Sequence, residues 1–131
     1  MYECVAFIII FFVMHLHNNL SKNILAWYDN NKRILPWRVS KKSVKKLYYR
    51  LLSEFMLQQT QVKTVIPYFK AFLLNLPTLK SLALSNEKRV LKLWEGLGYY
   101  RRARNLLATS KILINEHNSR LPKSLINIKK L

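Results

Sequence analysis

The stretch Leu51-Leu-Ser-Glu-Phe-Met-Leu-Gln-Gln-Thr-Gln-Val62 places one carboxylate among apolar residues and follows it with glutamines. That carboxylate, Glu54, is the only acidic residue in residues 30–86. Its apolar neighbours predict a buried carboxyl group, and burial disfavours the charged form. A carboxylic acid that stays protonated near neutral pH can act as a general acid. Side-chain amides that can hydrogen-bond to nucleic-acid bases follow at Gln58, Gln59 and Gln61.

The charge of the chain indicates a polyanionic partner. Its 131 residues contain 23 Lys+Arg and 6 Asp+Glu, a formal net charge of +17, with the basic residues spread from Lys22 to Lys130. Such a chain gains affinity for nucleic acid by releasing counterions from phosphates. The alternative is a lysine bias of an AT-rich genome, with no functional meaning.

Length and cysteine usage set further limits. A chain of 131 residues, half of them hydrophobic, corresponds to one domain or part of one. Cys4 is the only cysteine, so the chain's own cysteines cannot form a disulfide framework, a zinc site or an iron–sulfur site. We therefore predict no metal site and a reducing, cytoplasmic setting.

The N-terminus carries an unbroken apolar run of ten residues, Val5–Met14. A membrane-spanning helix needs about 20 such residues. A signal peptide needs a basic n-region, whereas this one has Glu3 and no Lys or Arg. We interpret residues 1–19 as a non-native or disordered apolar leader and residues 20–131 as the functional domain. A short segment that touches a membrane is the alternative.

From residue 20 onward the spacing of apolar residues is that of helices, and no alternation of period two is long enough for a strand. The pattern predicts an all-α fold. Ser21 is a candidate N-cap for a first helix that ends at Asn30-Asn31, Thr78 for a short helix through Leu84, and Ser85 for the next. A second helix stops near Thr60, Pro67 kinks a third or lies in its first turn, and a final long helix ends around Asn118, before a polar, basic ending from Pro122.

Six motifs follow one another along residues 20–131: Ala26-Trp-Tyr-Asp29, Leu35-Pro-Trp-Arg38, Leu52-Ser-Glu-Phe-Met-Leu-Gln-Gln-Thr-Gln-Val62, Thr64-Val-Ile-Pro-Tyr-Phe69, Leu93-Trp-Glu-Gly-Leu-Gly-Tyr-Tyr100 and Ala103-Arg-Asn-Leu106. In this order they resemble the N-terminal part of the A/G-mismatch-specific adenine DNA glycosylases of the MutY type, in the helix-hairpin-helix glycosylase superfamily. The resemblance implies a partial helical bundle of that fold, truncated before its hairpin.

The resemblance implies base-excision repair, in which adenine opposite guanine or 8-oxoguanine is hydrolysed from double-stranded DNA. Glu54 matches the glutamate that protonates the adenine ring. The adenine pocket is matched by Arg33, Trp37, Arg38 and Leu57. A flipped base needs such stacking surfaces and hydrogen bonds. The alternatives are a solvated surface residue for Glu54, a core anchor for Trp37 and phosphate contacts for the two arginines.

Gln59 and Tyr99 match side chains that wedge into the duplex where the adenine leaves. An amide or a ring can fill the vacated stack. The alternative for Tyr99-Tyr100 is an aromatic cover on the core. Further DNA contacts are predicted at Gln58, Gln61, Arg101 and Arg104. Arg101, Arg102 and Arg104 either touch phosphates or stay solvated.

The sequence also departs from the family pattern. The family's aromatic approach to the Ser-Glu motif is replaced by Leu47-Tyr-Tyr-Arg-Leu51, and a lysine-rich insert, 41–46, lengthens the gap from Trp37 to Glu54. Family members also have a Pro-Gly-Val-Gly hairpin, a catalytic aspartate, four cysteines for a 4Fe–4S cluster and a domain that reads 8-oxoguanine. These are not in the sequence.

Hydrolysis of an N-glycosidic bond requires a protonated base and a stabilised sugar cation, a two-carboxylate requirement. Glu54 meets the first half, so we expect the chain alone to be inactive or nearly so, with a second polypeptide as one source of the rest. Two other interpretations remain open. One is a non-catalytic basic helical DNA-binding module, and the other is a small membrane-associated helical protein.

Overall fold

The computed structural model describes residues 19–40, 43 and 45–129. The apolar run Val5–Met14, nearly all of the predicted leader, and three positions of the lysine-rich insert lie outside these residues. The chain divides into two units, Met1–Ile34 and Leu35–Leu131. In the described ranges all regular elements are helices, as the apolar spacing predicts.

The unit Met1–Ile34 contains helix α1, residues 19–31. The helix ends at the predicted asparagine pair, where the Asn31 side-chain amide donates to the Trp27 carbonyl at 2.8 Å. Ser21 was predicted to be its N-cap, and this is wrong because residues 19 and 20 are already helical. The apolar stripe of α1 is exposed; its members are Leu20, Ile24, Leu25, Trp27 and Tyr28.

In the unit Leu35–Leu131, helix α2 spans Lys46–Leu57 and α3 spans Val62–Asn75. Tyr48, Leu52 and Met56 recur every four residues on α2 and are buried, which places one face of the helix in the core. Pro67 lies inside α3, at its sixth residue, rather than in its first turn. Helix α2 ends three residues before the predicted Thr60, since Gln58 and Gln59 leave the helical conformation.

Helix α4 spans Leu79–Ala83, α5 spans Glu87–Trp94, α6 spans Arg101–His117 and α7 spans Leu125–Ile128. Thr78 caps α4 through a reciprocal pair of hydrogen bonds with Ser81, as predicted. The predicted cap of α5 is wrong by one residue, because Asn86 accepts from the Arg89 backbone at 2.8 Å. Helix α6 ends at Asn118 in a left-handed conformation, as predicted.

Helix α6 lies at the centre of this unit and packs against α2, α4 and α5, while α3 packs against α2 and α5. The core where they meet includes Trp94, whose ring meets Phe72 edge-on at 5.9 Å. This packing brings the two chain reversals that carry the predicted DNA-binding residues, 58–61 and 95–100, to one side of the N-terminal end of α6.

Candidate functional site

The glutamine loop (58–61, between α2 and α3) and the glycine loop (95–100, between α5 and α6) line one open groove of about 950 Å³. We call it the loop groove. Its lining includes the two side chains predicted to enter the duplex, Gln59 and Tyr99. The other lining residues are Gln58, Tyr100, Arg101, Arg102, Arg104 and Asn105. The fold thus brings five of the eleven predicted site residues together: Gln58, Gln59, Tyr99, Arg101 and Arg104.

The glutamine loop is a tight turn with its amide side chains outward. The Thr60 backbone donates to the Leu57 carbonyl at 3.2 Å, and Gln59 has a left-handed backbone with φ of 56°. Gln61 is then the N-cap of α3, and its carbonyl accepts from the Thr64 and Val65 amides at 3.1 Å. Because the predicted base-binding residues Gln58, Gln59 and Gln61 are all exposed, they are accessible to a ligand.

The glycine loop reverses the chain through three positive φ angles, 93° at Gly96, 75° at Gly98 and 48° at Tyr99. Glycine adopts such angles without steric cost. The indole nitrogen of Trp94 donates to the Gly98 carbonyl at 3.0 Å and ties the loop to the core. Tyr99 and Tyr100 are exposed, by 65% and 41%, so these rings do not form an aromatic cover on the core.

Arg102 joins the two loops, a role that the sequence did not indicate. Its Nη1 donates to the Phe55, Met56 and Gln58 carbonyls and to Thr60 Oγ1. Its Nη2 donates to the Leu97 and Gly98 carbonyls, each at 3.2 Å. Arg102 was predicted to touch phosphates or to stay solvated; instead it is only 7% exposed.

The contacts of Arg102 account for its burial. The guanidinium stacks near the rings of Trp94 and Tyr99, at 5.5 and 5.4 Å, and satisfies carbonyls at the C-terminal end of α2. Desolvation by burial lowers the pKa of Arg102 from its ordinary value, although a guanidinium keeps its proton in proteins. In the sequence, Arg102 is one of three arginines within four residues.

The two neighbouring arginines are exposed, unlike Arg102. Arg101 lines the loop groove. Arg104 also lines it, and its Nε donates to Glu87 at 2.7 Å in an ion pair whose side chains are both 54% exposed. An ion pair so exposed is worth about 0.5 kcal/mol, so it does not hold Arg104 firmly away from an incoming phosphate.

Glu54 lies in a second cavity, of about 340 Å³, on the outer face of α2. Lys46, Leu47, Arg50 and Leu51 line this cavity from the same helix, and Leu121 lines it from the segment after α6. We call it the Glu54 cavity. No ion pair or hydrogen bond of the Glu54 side chain is found within the described part of the chain. The carboxylate is one helical turn before Gln58, about 6 Å along the axis.

The structure corrects the prediction that the apolar neighbours of Glu54 bury it. Glu54 is exposed. Leu52, Ser53 and Met56 turn to the core, and since each helical residue is rotated by about 100°, Glu54 faces away from them. Its surroundings are instead three leucines and two basic side chains, so the carboxylate reaches solvent in an amphipathic cavity.

Three of the four predicted adenine-pocket residues belong to the unit Leu35–Leu131. Trp37 is buried and meets Phe69 edge-on at 5.3 Å, as expected if Trp37 anchors the core. Leu57 packs, partly buried, against the same core, and Arg38 is exposed. Arg33 is exposed and belongs to the unit Met1–Ile34. Trp37, Leu57 and Arg38 line neither of the two cavities described above.

Metal ions in proteins are commonly coordinated by His, Cys, Asp and Glu side chains. The described residues contain no group of three or more His, Cys, Asp or Glu side chains that could hold a metal ion. The 4Fe–4S cluster expected in the family needs four thiolates, whereas Cys4 is the only cysteine in the sequence, so the residues of this chain do not fit that cluster. The helices among residues 19–129, where described, are all too short or too polar to cross a bilayer.

Residues 52–129 match the family model described as HhH-GPD superfamily base excision DNA repair protein. The chain belongs to this superfamily. The match begins at the start of the Glu54 motif and includes both loops of the groove. The matched residues contain helices α2 to α7, except for the first six residues of α2. The predicted all-α helix-hairpin-helix glycosylase fold is therefore confirmed.

The HhH-GPD chain is similar to curated adenine DNA glycosylases, as its motifs predicted. It is 45% identical over 109 residues to that of Buchnera aphidicola subsp. Acyrthosiphon pisum (strain APS), covering 82% of this chain and 30% of the relative. It is 38% identical over 113 residues to that of Homo sapiens, covering 83% and 21%. The chain thus spans less than a third of the length of these relatives. The two other interpretations of the sequence are not favoured.

A solved structure shows the same fold. The "structure of a thermostable thymine-DNA glycosylase" superposes with a TM-score of 0.71 at 21% identity. The match covers 87% of this chain and 51% of that one. At this identity the likeness concerns the fold alone, and it shows that the two chains share their helical arrangement.

Proposed function

We propose that this chain acts as part of an adenine DNA glycosylase that removes adenine mispaired with guanine or 8-oxoguanine in double-stranded DNA. The observation that carries the proposal is the position of Glu54 in a cavity one helical turn before the glutamine loop. This carboxylate is exposed and has no hydrogen-bond or ion-pair partner among the described residues. Its place of action is the compartment that holds the DNA, the cytoplasm with its nucleoid.

In this proposal Glu54 is the general acid. Adenine is a poor leaving group, and protonation of a ring nitrogen lets it depart neutral while the glycosidic bond breaks. The leucines of the Glu54 cavity offer an apolar surface to the flipped base. The exposure of Glu54 fits this role because the base must reach it.

The loop groove supplies the duplex contacts. Gln59 and Tyr99, both exposed and on the same groove, are proposed to occupy the stack that the flipped adenine vacates. Arg101 and Arg104 are proposed to bind phosphates, and Gln58 and Gln61 to bond to the DNA beside the opened pair. Arg33, Trp37, Arg38 and Leu57 remain proposed contributors to the adenine pocket by resemblance to the family. Trp37, Arg38 and Leu57 do not line the Glu54 cavity itself.

The sugar cation requires a second carboxylate, which we place outside these residues. Among the described acids, Glu87 pairs with Arg104 and Glu95 with Lys92, both on exposed surface. We propose that another polypeptide segment, covalent or separate, supplies this acid. A 4Fe–4S cluster would come from that segment as well, since four thiolates are needed.

The test is adenine release by a chimera. In the Buchnera aphidicola relative, the shared 109-residue segment is replaced by that of this chain, so that the relative supplies the remaining parts. Single-turnover cleavage of labelled duplexes containing A:G, A:8-oxoguanine or A:T is measured after alkali treatment. We expect release from the two mismatches and none from A:T. A folded chimera that binds mismatched DNA yet leaves adenine attached would refute the proposal.

A further inference from the structure

We infer that Arg102 is a positioning residue. It fixes the spacing between Gln59 and Tyr99, so that the two side chains act together as one DNA-recognition element. This inference rests on the proposed function only for the identity of the ligand, DNA, since the link that Arg102 makes between the two loops is a property of the fold. The two side chains are 40 positions apart in sequence, from residue 59 to residue 99, yet line one groove. Each is displayed by a left-handed backbone, with φ of 56° and 48°.

Left-handed conformations at residues other than glycine persist only where the surroundings enforce them. Beside Gln59, Arg102 Nη1 holds the Gln58 carbonyl and, at 3.0 Å, Thr60 Oγ1. Beside Tyr99, Nη2 holds the Gly98 carbonyl at 3.2 Å. One guanidinium thus holds both residues that flank Gln59 and the residue that precedes Tyr99.

Arginine is required for this geometry. The two Nη atoms of a planar guanidinium diverge in a fixed fork, so one faces the glutamine loop and the other the glycine loop. An ammonium is a single point and cannot reach both sets of carbonyls in the same arrangement. The guanidinium also contacts the Tyr99 ring at 5.4 Å, which links the side chain that enters the duplex to its own support.

Arg102 has no evident competing role in binding DNA. It is 7% exposed and its Nε is buried without a hydrogen-bond partner among the described residues, while both Nη groups are used by backbone and Thr60 oxygens. A phosphate would therefore meet Arg101 or Arg104, which are exposed on the same groove. The contribution of Arg102 to recognition is the spacing of the two loops before DNA arrives, which is preorganisation.

The first experiment compares amide hydrogen exchange in the full 131-residue chain and in Arg102→Lys. The reporters are the Thr60 and Leu97 amides, which donate within the glutamine and glycine loops at 3.2 and 3.0 Å, and the reference is the Leu82 amide, which donates to Thr78 outside both loops. We expect both reporters to exchange about tenfold faster or more relative to Leu82. Unchanged reporters, or an equal acceleration of all three, would overturn the inference.

Two further variants sharpen this comparison. Arg89→Lys is the matched control, because Arg89 also donates to a backbone carbonyl, that of Asn75 at 3.2 Å, but from an exposed position. We expect wild-type exchange in both loops. Thr60→Val removes one oxygen that Arg102 holds and keeps the size of the side chain. It should accelerate the Leu97 amide roughly twofold across the Arg102 link, and it decides the question if Arg102→Lys does not fold. No effect at Leu97 would contradict the coupling.

The DNA experiment uses duplexes with 2-aminopurine in place of the mismatched adenine, at saturating concentrations of the full chain. Fluorescence rises when this base unstacks. We expect a rise with wild type and with Arg89→Lys, and a rise reduced at least threefold with Arg102→Lys, while affinity for a fully matched duplex changes less than twofold. An equal loss on both duplexes would overturn the positioning role. If wild type gives no rise, the proposed function fails for this chain, whereas the amide data still decide the role of Arg102.

Discussion

Gln59 and Tyr99 face one groove from two separate loops, and both adopt left-handed backbones that ordinary residues avoid. Each such conformation costs about 1–3 kcal/mol and is retained where the surrounding structure enforces it. The shared support is Arg102, buried between the loops. The groove is thus a feature of the fold without a ligand, and its exposed side chains are accessible to a duplex.

The arginines beside Arg102 should act through charge. Arg104→Gln loses an exposed ion pair with Glu87, so the free energy of unfolding should change by no more than about 0.5 kcal/mol. If Arg104 binds a phosphate, the slope of log affinity against log salt for duplex DNA should become less steep by about 0.9. Fluorescence anisotropy over a salt series measures this slope.

The control for this series is Lys111→Gln. Lys111 is exposed on the same helix, seven residues further along, about 10 Å down the axis from Arg104. Its removal lowers the net charge equally and should leave the salt slope closer to that of the wild type. Equal slopes for the two variants would mean that the DNA responds to net charge alone and that the groove has no special part.

The glycine loop should tolerate alanine unequally at its two glycines. At Gly98, φ is 75° and a Cβ would meet no atom within 4 Å, so Gly98→Ala should cost about 1–2 kcal/mol from the backbone alone. At Gly96, φ is 93° and a Cβ would overlap the Tyr68 hydroxyl, so Gly96→Ala should cost about 1 kcal/mol more. Urea denaturation compares the two.

Tyr68→Phe in the Gly96→Ala background separates the two contributions. Removal of the hydroxyl relieves the overlap and should recover the additional cost, leaving the Gly98-like penalty of the backbone. If Gly96→Ala is no worse than Gly98→Ala, or the phenylalanine recovers nothing, then the close approach of Tyr68 does not constrain this loop.

The Tyr48 hydroxyl anchors α2 to the end of α3, donating to the Leu76 carbonyl at 2.6 Å in the core. Tyr48→Phe leaves that buried carbonyl without its partner and should destabilise the chain by about 1–2 kcal/mol. Tyr49→Phe is the matched control, since no hydrogen bond of its hydroxyl is found in the described structure. Denaturant midpoints that do not separate the two variants would argue against this anchor.

The same hydroxyl predicts a pH dependence. Burial, aided by the neighbouring Tyr49, raises the pKa of Tyr48 well above its ordinary value of about 10. Above about pH 10 the unfolded chain loses this proton while the folded chain keeps it, so the unfolded state binds fewer protons and stability falls as pH rises. Between pH 9 and 11, the free energy of unfolding should fall more steeply for wild type than for Tyr48→Phe. Parallel curves would contradict the raised pKa.

The 131-residue chain alone should bind mismatched duplex without releasing adenine. In our proposal Glu54 supplies the proton, and two of the other described acids, Glu87 and Glu95, are paired with cations on exposed surface. Without a carboxylate for the sugar cation, the rate should fall by orders of magnitude. Overnight incubation with A:G duplex, followed by alkali cleavage, checks this. Robust mismatch-specific release would show that the chain needs no second acid.

The parts of this structure that depend on local sequence were the predictable ones. Thr78 and Ser81 are three residues apart and cap α4 through each other, so neighbouring letters carry the information. Ser85 and Asn86 are both suitable caps, and the choice between them depends on which residue the incoming chain leaves extended. The helical periodicity and the ordered motifs were enough to predict the fold and the family.

The burial of individual side chains could not be predicted from the sequence. Glu54 has apolar neighbours in sequence, yet a helix turns those neighbours to other faces, and the carboxylate is exposed. Arg102 looks like its two exposed neighbours but is buried by contacts with residues more than 40 positions away. Trp37, likewise, has a clear motif but a position that depends on its contact with Phe69. Long-range packing decides these cases.

The central claim, that Glu54 protonates adenine, is tested most directly by Glu54→Gln in the Buchnera chimera. Glu116→Gln is the matched control, since Glu116 is an exposed glutamate of α6 outside the two cavities. Under single-turnover conditions with A:8-oxoguanine duplex, we predict a rate at least 100-fold lower for Glu54→Gln, typical of a lost general acid, with mismatch affinity within threefold of the parent. Glu116→Gln should keep the parent rate. Equal rates for the two variants would contradict the account.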